Sequence, residues 1–158
     1  MKKLIPPLII GFLLLGSIFL IRAQESALKP GDRLPPLALA YLGDKPDLEK
    51  KPLLVEFWAT WCPPCRQSIP HLNDVYARYH PQGLEVIGIT KEDEQTVRKF
   101  QQQLPMQYPV AINAPGTLYR RFGVDGIPQA FLVNRTGRVV WTGHPLELAD
   151  EDLQTVLR

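Results

Sequence analysis

A chain of 158 residues with 45% hydrophobic and 22% charged content is long enough for one well-buried core and too short for two ordinary domains once its N-terminus is set aside. Setting aside Lys2, Lys3 and Arg22 from the 18 basic side chains leaves 15 against 16 acidic ones, a net of −1. Nothing in this balance suggests a nucleic-acid partner, which would want a clustered basic face.

The chain opens on Lys2-Lys3, then runs from Leu4 to Ile21 without a charge before Arg22 closes the segment. That run stands at the lower edge of what spans a hydrocarbon core. Pro6 and Pro7 shorten its regular part to Leu8–Ile21, the length of a signal-peptide core. Both readings, an uncleaved anchor and a cleaved signal, export the rest of the chain, and the two lysines favour a cytoplasmic N-terminus. Residues 1–23 are therefore expected as a signal-anchor or signal peptide at the inner membrane, 24–36 as a proline- and glycine-bearing tether, and 37–158 as the folded domain.

Within that domain Leu37–Leu42 supplies a short first strand, and 43–52 a polar, proline-bounded loop. Leu53-Leu54-Val55-Glu56-Phe57-Trp58 is a nearly continuous apolar run, the pattern of a central strand covered on both faces. Glu56 is its exception. After Cys62 the period changes to helical, with Ile69, Leu72, Val75, Tyr76 and Tyr79 on one face. Leu84–Thr90 is a second central strand. Glu92-Asp93-Glu94 suits the first turn of a helix carrying Val97, Phe100 and Leu104. A strand over 108–112, a short helix over 117–122, an antiparallel hairpin of 130–133 and 139–142 around Asn134-Arg135-Thr136-Gly137, and a final helix over 148–157 complete an α/β order. The alternation in the middle and the hairpin near the end predict a mixed central sheet with helices on both faces.

Trp61-Cys62-Pro63-Pro64-Cys65 falls where the buried strand gives way to a helix. At a helix N-terminus, free N–H groups and the positive end of the dipole stabilise a thiolate on Cys62, making it the attacking sulfur. Pro63 suits the first turn, where its missing amide has no intrahelical partner. Cys65, one turn on, can resolve a mixed disulfide. A purely structural disulfide would add little constraint across so small a loop. A metal site lacks further cysteine pairs or a H-x-x-x-H run, and haem attachment fails at Arg66. Glu56, in an apolar strand, should have a raised pKa and could take the proton from Cys65; the plainer alternative pairs it with a lysine such as Lys91.

The segment V-E-F-W-A-T-W-C-P-P-C-R over 55–66 resembles the active site of the thioredoxin superfamily, most closely its TlpA-like and ResA-like membrane-anchored members. Gly123-Val124-Asp125-Gly126-Ile127-Pro128 before Ala130–Val133 is similar to that family's loop bearing a cis-proline, and Val86–Ile89 to its central strand. The likeness implies a thioredoxin-like sheet with an added helix and strand between Glu92 and Ile112. It implies Cys62 as nucleophile, Cys65 as resolving thiol and Glu56 as the buried acid. It also implies a substrate surface of Trp61, Pro63, Ile127 and Pro128, with no cofactor. Where the cytochrome-maturation branches carry an acid, this chain has Ser68. Pro70 is expected to kink or end the active-site helix. The expected activity is thiol–disulfide exchange, as a reductase, on protein disulfide substrates outside the cytoplasm, fed by a membrane electron donor. The alternatives are a copper-chaperone-like or docking protein using the same cysteines, and a peroxidase, for which no P-x-x-x-T-x-x-C segment exists.

Overall fold

The computed structural model describes residues 27–158; the leader segment 1–23 lies outside them. No helix among the described residues is long and apolar enough to cross a membrane. Strands β1 (Ala40–Tyr41), β2 (Leu53–Phe57), β3 (Glu85–Thr90), β4 (Val110–Ile112), β5 (Gln129–Val133) and β6 (Val139–Gly143) alternate with helices α1 (Pro63–Tyr79), α2 (Glu94–Gln101), α3 (Thr117–Phe122) and α4 (Asp150–Leu157). They form one six-stranded sheet in the order β1-β4-β3-β2-β5-β6. β2, β3 and β4 are parallel, while β5, β6 and β1 run antiparallel to their neighbours.

Both central strands are buried along their whole length, as a parallel core covered on two faces requires. Their side chains alternate strictly. Leu53, Val55, Phe57, Ile87 and Ile89 face α3, where Phe57 meets Tyr119, Phe122 and Phe131 edge-on at 4.7, 4.8 and 5.9 Å, a favoured aromatic geometry. Leu54 and Val86 face Leu72, Val75 and Tyr79 of α1 and Leu153 and Val156 of α4. A third cluster, in which Val97 and Phe100 of α2 meet Trp58, Cys65 and Ile69, closes the end of the sheet where β2 passes into α1.

Three local expectations differ from what is observed. The strand expected over 37–42 shrinks to Ala40–Tyr41, because Leu37 and Leu39 pack on the core without entering a ladder. Residues 31–34, expected within the tether, are zipped along β6: the Gly31 and Leu34 amides donate to the Val139 and Gly137 carbonyls, and the Val139 amide donates to the Asp32 carbonyl, while the Leu28 amide donates to the Phe122 carbonyl at the end of α3. Pro70 stands inside α1, which continues to Tyr79; it deprives the Arg66 carbonyl of a helical donor without ending the helix.

Candidate active site

β2 ends at Phe57, and the chain turns through Trp58–Trp61 into α1, whose N-cap is Cys62 with Pro63 in the first turn. Cys62 and Cys65 are joined in a disulfide with Cα atoms 5.3 Å apart. The Cys65 amide points at the Cys62 sulfur, 3.3 Å away, so the first cysteine receives a helix N-terminal N–H as the sequence reading required. The two sulfurs are placed unequally. Cys62 is nearly covered yet lines a cleft of about 560 Å³ together with Trp61, Pro63, Lys91, Tyr119 and Ile127, whereas Cys65 is wholly buried.

Across the cleft the Ile127–Pro128 peptide bond is cis. The Ile127 carbonyl oxygen lies 3.8 Å from the Cys62 sulfur. Pro128 itself is buried, Ile127 half-buried and Pro63 exposed. Trp61 stands out into solvent with 70% of its surface exposed, while Trp58 packs beneath it against Phe100. Of the site residues singled out from the sequence, Trp61, Pro63 and Ile127 line the cleft with Cys62 and Cys65 is bonded to it, Pro128 lines an adjoining hollow with Pro64 and Ile127, and Glu56 lies in the buried sheet.

Glu56 points to the α1 face. Its neighbours across the sheet are Gly88 and Ala130, so short side chains flank it and leave room for the carboxyl group. The Ser68 hydroxyl lies 3.0 Å from Oε1, and the Tyr108 hydroxyl donates to Oε2 at 3.2 Å. Loss of water pushes the Glu56 carboxyl up to about 8, with the two hydroxyls pulling the other way. Burial likewise raises Tyr108, and the adjacent carboxylate raises it further. The suggested pairing with Lys91 is absent: that ammonium sits 4.0 Å above the Tyr119 ring.

Four residues that the sequence reading left out belong to the site. Ser68 had signalled only a departure from a family pattern, although its spacing of three from Cys65 places both on one helical face. Tyr108 is 52 positions from Glu56, and nothing local marks it. Glu92 lies before the Asp93 N-cap of α2, not in its first turn, and accepts from the Thr60 amide at 2.6 Å and the Thr60 hydroxyl at 2.7 Å. Tyr119 donates its hydroxyl toward the Trp58 and Ile89 carbonyls, each 3.1 Å away. Thr60 and Trp58 are thus tethered on both sides of the turn that presents Trp61 and Cys62. His71, His80 and His144 take no part in this network.

Residues 41–142 match the AhpC/TSA family. The chain is similar to the thiol-disulfide oxidoreductase ResA of Bacillus cereus, with 30% identity over 136 residues, covering 83% of this chain and 77% of that protein. ResA of Bacillus anthracis is 31% identical over the same share of both. A crystal structure from Chlorobium tepidum, described as a thiol:disulfide interchange protein DsbE, superposes with a TM-score of 0.70 at 29% identity, covering 84% of this chain and 100% of that one.

Proposed function

Because this chain belongs to the AhpC/TSA family of the thioredoxin superfamily and is a thiol–disulfide oxidoreductase, we infer that it reduces disulfides in exported proteins through Cys62 and Cys65. The observation that carries this reading is the inequality of the two sulfurs. One faces a cleft and receives a helix N-terminal amide; the other is sealed in the core.

In the reduced form the Cys62 thiolate attacks a substrate disulfide, R–S–S–R′. A bond forms between Cys62 and one sulfur, and the other leaves as a thiolate. Cys65 then loses its proton, attacks Cys62, and releases the second substrate thiolate. The substrate has gained two electrons, and the protein holds the disulfide seen here. Glu56 is the base for the second step: a carboxyl held near neutrality exchanges protons at working pH. Trp61 and Pro63 form one wall of the substrate surface. Ile127 and Pro128 form the other, offering an extended backbone edge beside the sulfur, the strand-like mode in which peptides dock.

Export and attachment at the inner membrane rest on the uncharged run Leu4–Ile21 behind Lys2-Lys3. On this reading the electrons arrive from a membrane-bound thiol donor. Two measurements on the full chain test the proposal. Cys65→Ser is expected to trap substrates as mixed disulfides while Cys62→Ser traps none; equal trapping by both would overturn the assigned roles. The midpoint potential is expected nearer the thioredoxin value of about −270 mV than the strongly oxidising end near about −120 mV; a value at the latter end would reverse the direction.

A further inference from the structure

Ser68 is completely buried, and its hydroxyl lies within hydrogen-bonding reach of two acceptors: Oε1 of Glu56 at 3.0 Å and the backbone carbonyl of Cys65 at 2.8 Å. A serine hydroxyl carries one proton and so donates to one of them at a time. The choice is fixed by Glu56. When Glu56 is neutral, Tyr108 donates to Oε2, the proton on Oε1 is given to the Ser68 oxygen, and Ser68 donates onward to Cys65. Every group is then satisfied. When Glu56 is ionised it has no proton to give, so Ser68 turns its hydroxyl to Oε1 and the Cys65 carbonyl loses that donor.

We propose that Ser68 is a positioning residue whose hydroxyl reverses with the protonation of Glu56 and carries that state to the backbone of the first turn of α1, the turn that caps Cys62. The inference rests on the reading of Glu56 as the base of the second exchange step and adds the route by which its state reaches the cysteine pair. The other titratable groups near Glu56 are Tyr108 from the segment before β4, on its own face, and Tyr119 of α3 on the opposite face of the sheet, both held protonated by burial, with Cys65 of α1 in the disulfide. Among the described residues no basic side chain forms an ion pair with Glu56. Ser68 and Tyr108 are therefore the two donors through which its charge is felt.

The test follows the carbonyl carbon of Cys65 and the side-chain carboxyl carbon of Glu56 by NMR between pH 5 and pH 10, on the full chain labelled with 13C and 15N. The disulfide form is used, because neither sulfur then takes up a proton. Both carbons are expected to titrate with one midpoint. Ser68→Ala should flatten the Cys65 response and move the Glu56 midpoint upward by about 1–2 pH units, the size expected for one lost hydrogen bond to a charged group. Tyr108→Phe should move the midpoint upward while the Cys65 response persists, and Ser68→Thr should restore the coupled titration. A Cys65 carbonyl that stays silent while Glu56 titrates in the unaltered chain overturns the role of Ser68 and leaves that of Glu56 standing, even if Ser68→Ala fails to fold. A Glu56 midpoint in the ordinary carboxylate range overturns both.

Discussion

The side chain of Glu56 enters the folded chain stripped of water and receives two hydroxyl donors in exchange. Desolvation outweighs them, so its folded pKa of about 8 lies above the unfolded value of 4.5. The sign of the resulting linkage is fixed: the unfolded chain releases this proton first, so the contribution of Glu56 to stability falls as pH rises from about 4.5 toward about 8 and is constant outside that window. A shift of this size corresponds to roughly 5 kcal/mol across the whole interval. Glu56→Gln keeps the shape and removes the proton equilibrium. Urea unfolding at pH 9 is expected to find the variant more stable than the unaltered chain by about 2–4 kcal/mol, with little difference at pH 5; a parallel pH dependence in both would place the raised group elsewhere. This residue was legible in the sequence because it breaks an apolar strand. Its partners were not: Ser68 reads as an ordinary helical serine and Tyr108 as an aromatic near a strand, and only tertiary packing brings both hydroxyls to the carboxyl group.

The turn from β2 to α1 is held less by its own sequence than by the element after β3. Glu92 takes both the amide and the hydroxyl of Thr60, and Tyr119 of α3 reaches the Trp58 carbonyl. Glu92→Ala takes the acceptor from three part-buried donors, the Thr60 amide and hydroxyl and the Thr90 hydroxyl. It is expected to cost about 1–3 kcal/mol and to speed hydrogen exchange at the Thr60 amide at least tenfold, while amides in the centre of β2 follow only the global change. β3 contributes an absence. A side chain at Gly88 would come within 3.0 Å of the Trp58 indole nitrogen, 3.2 Å of the Tyr108 ring and 3.3 Å of Met106, so the glycine admits the ring whose hydroxyl reaches Glu56. Gly88→Ala is expected to destabilise by about 1–3 kcal/mol, and thermal unfolding measures it. The central strands were legible because burial on both faces makes them continuous apolar runs, and the active-site helix because burial of one face imposes a helical period. The first strand was not: Leu37, Leu39 and Tyr41 alternate as a strand would, but alternation reports packing and leaves hydrogen bonding open.

Across the whole molecule, the sheet has two edges and treats them differently. β1 closes one with two residues paired to β4. At the other, the outer side of β6 is occupied by residues 31–34 through the Val139 and Gly137 hydrogen bonds, and Arg138 reaches the Gly31 carbonyl at 2.8 Å. Removing everything before Pro35 would bare that edge, and unpaired edges recruit other chains. The truncated protein is expected to melt lower and to show concentration-dependent association by sedimentation; a monomer of unchanged melting temperature would mean that the zipped segment is dispensable. The Arg78–Asp150 fork between α1 and α4 is exposed on both sides, and exposed pairs contribute about 0–1 kcal/mol, so these helices are held by the apolar contacts beneath. The stretch leading into the zipped segment also fixes an orientation. Its first described residue, Ala27, lies in the hollow formed with Pro64, Ile127 and Pro128, while at the far end of β5 the hairpin residue Arg135 touches the Leu157 carbonyl of α4. A domain wired to an electrode at Ala27 would turn its disulfide toward the conductor, and one wired at Arg158 would turn it toward the bulk electrolyte.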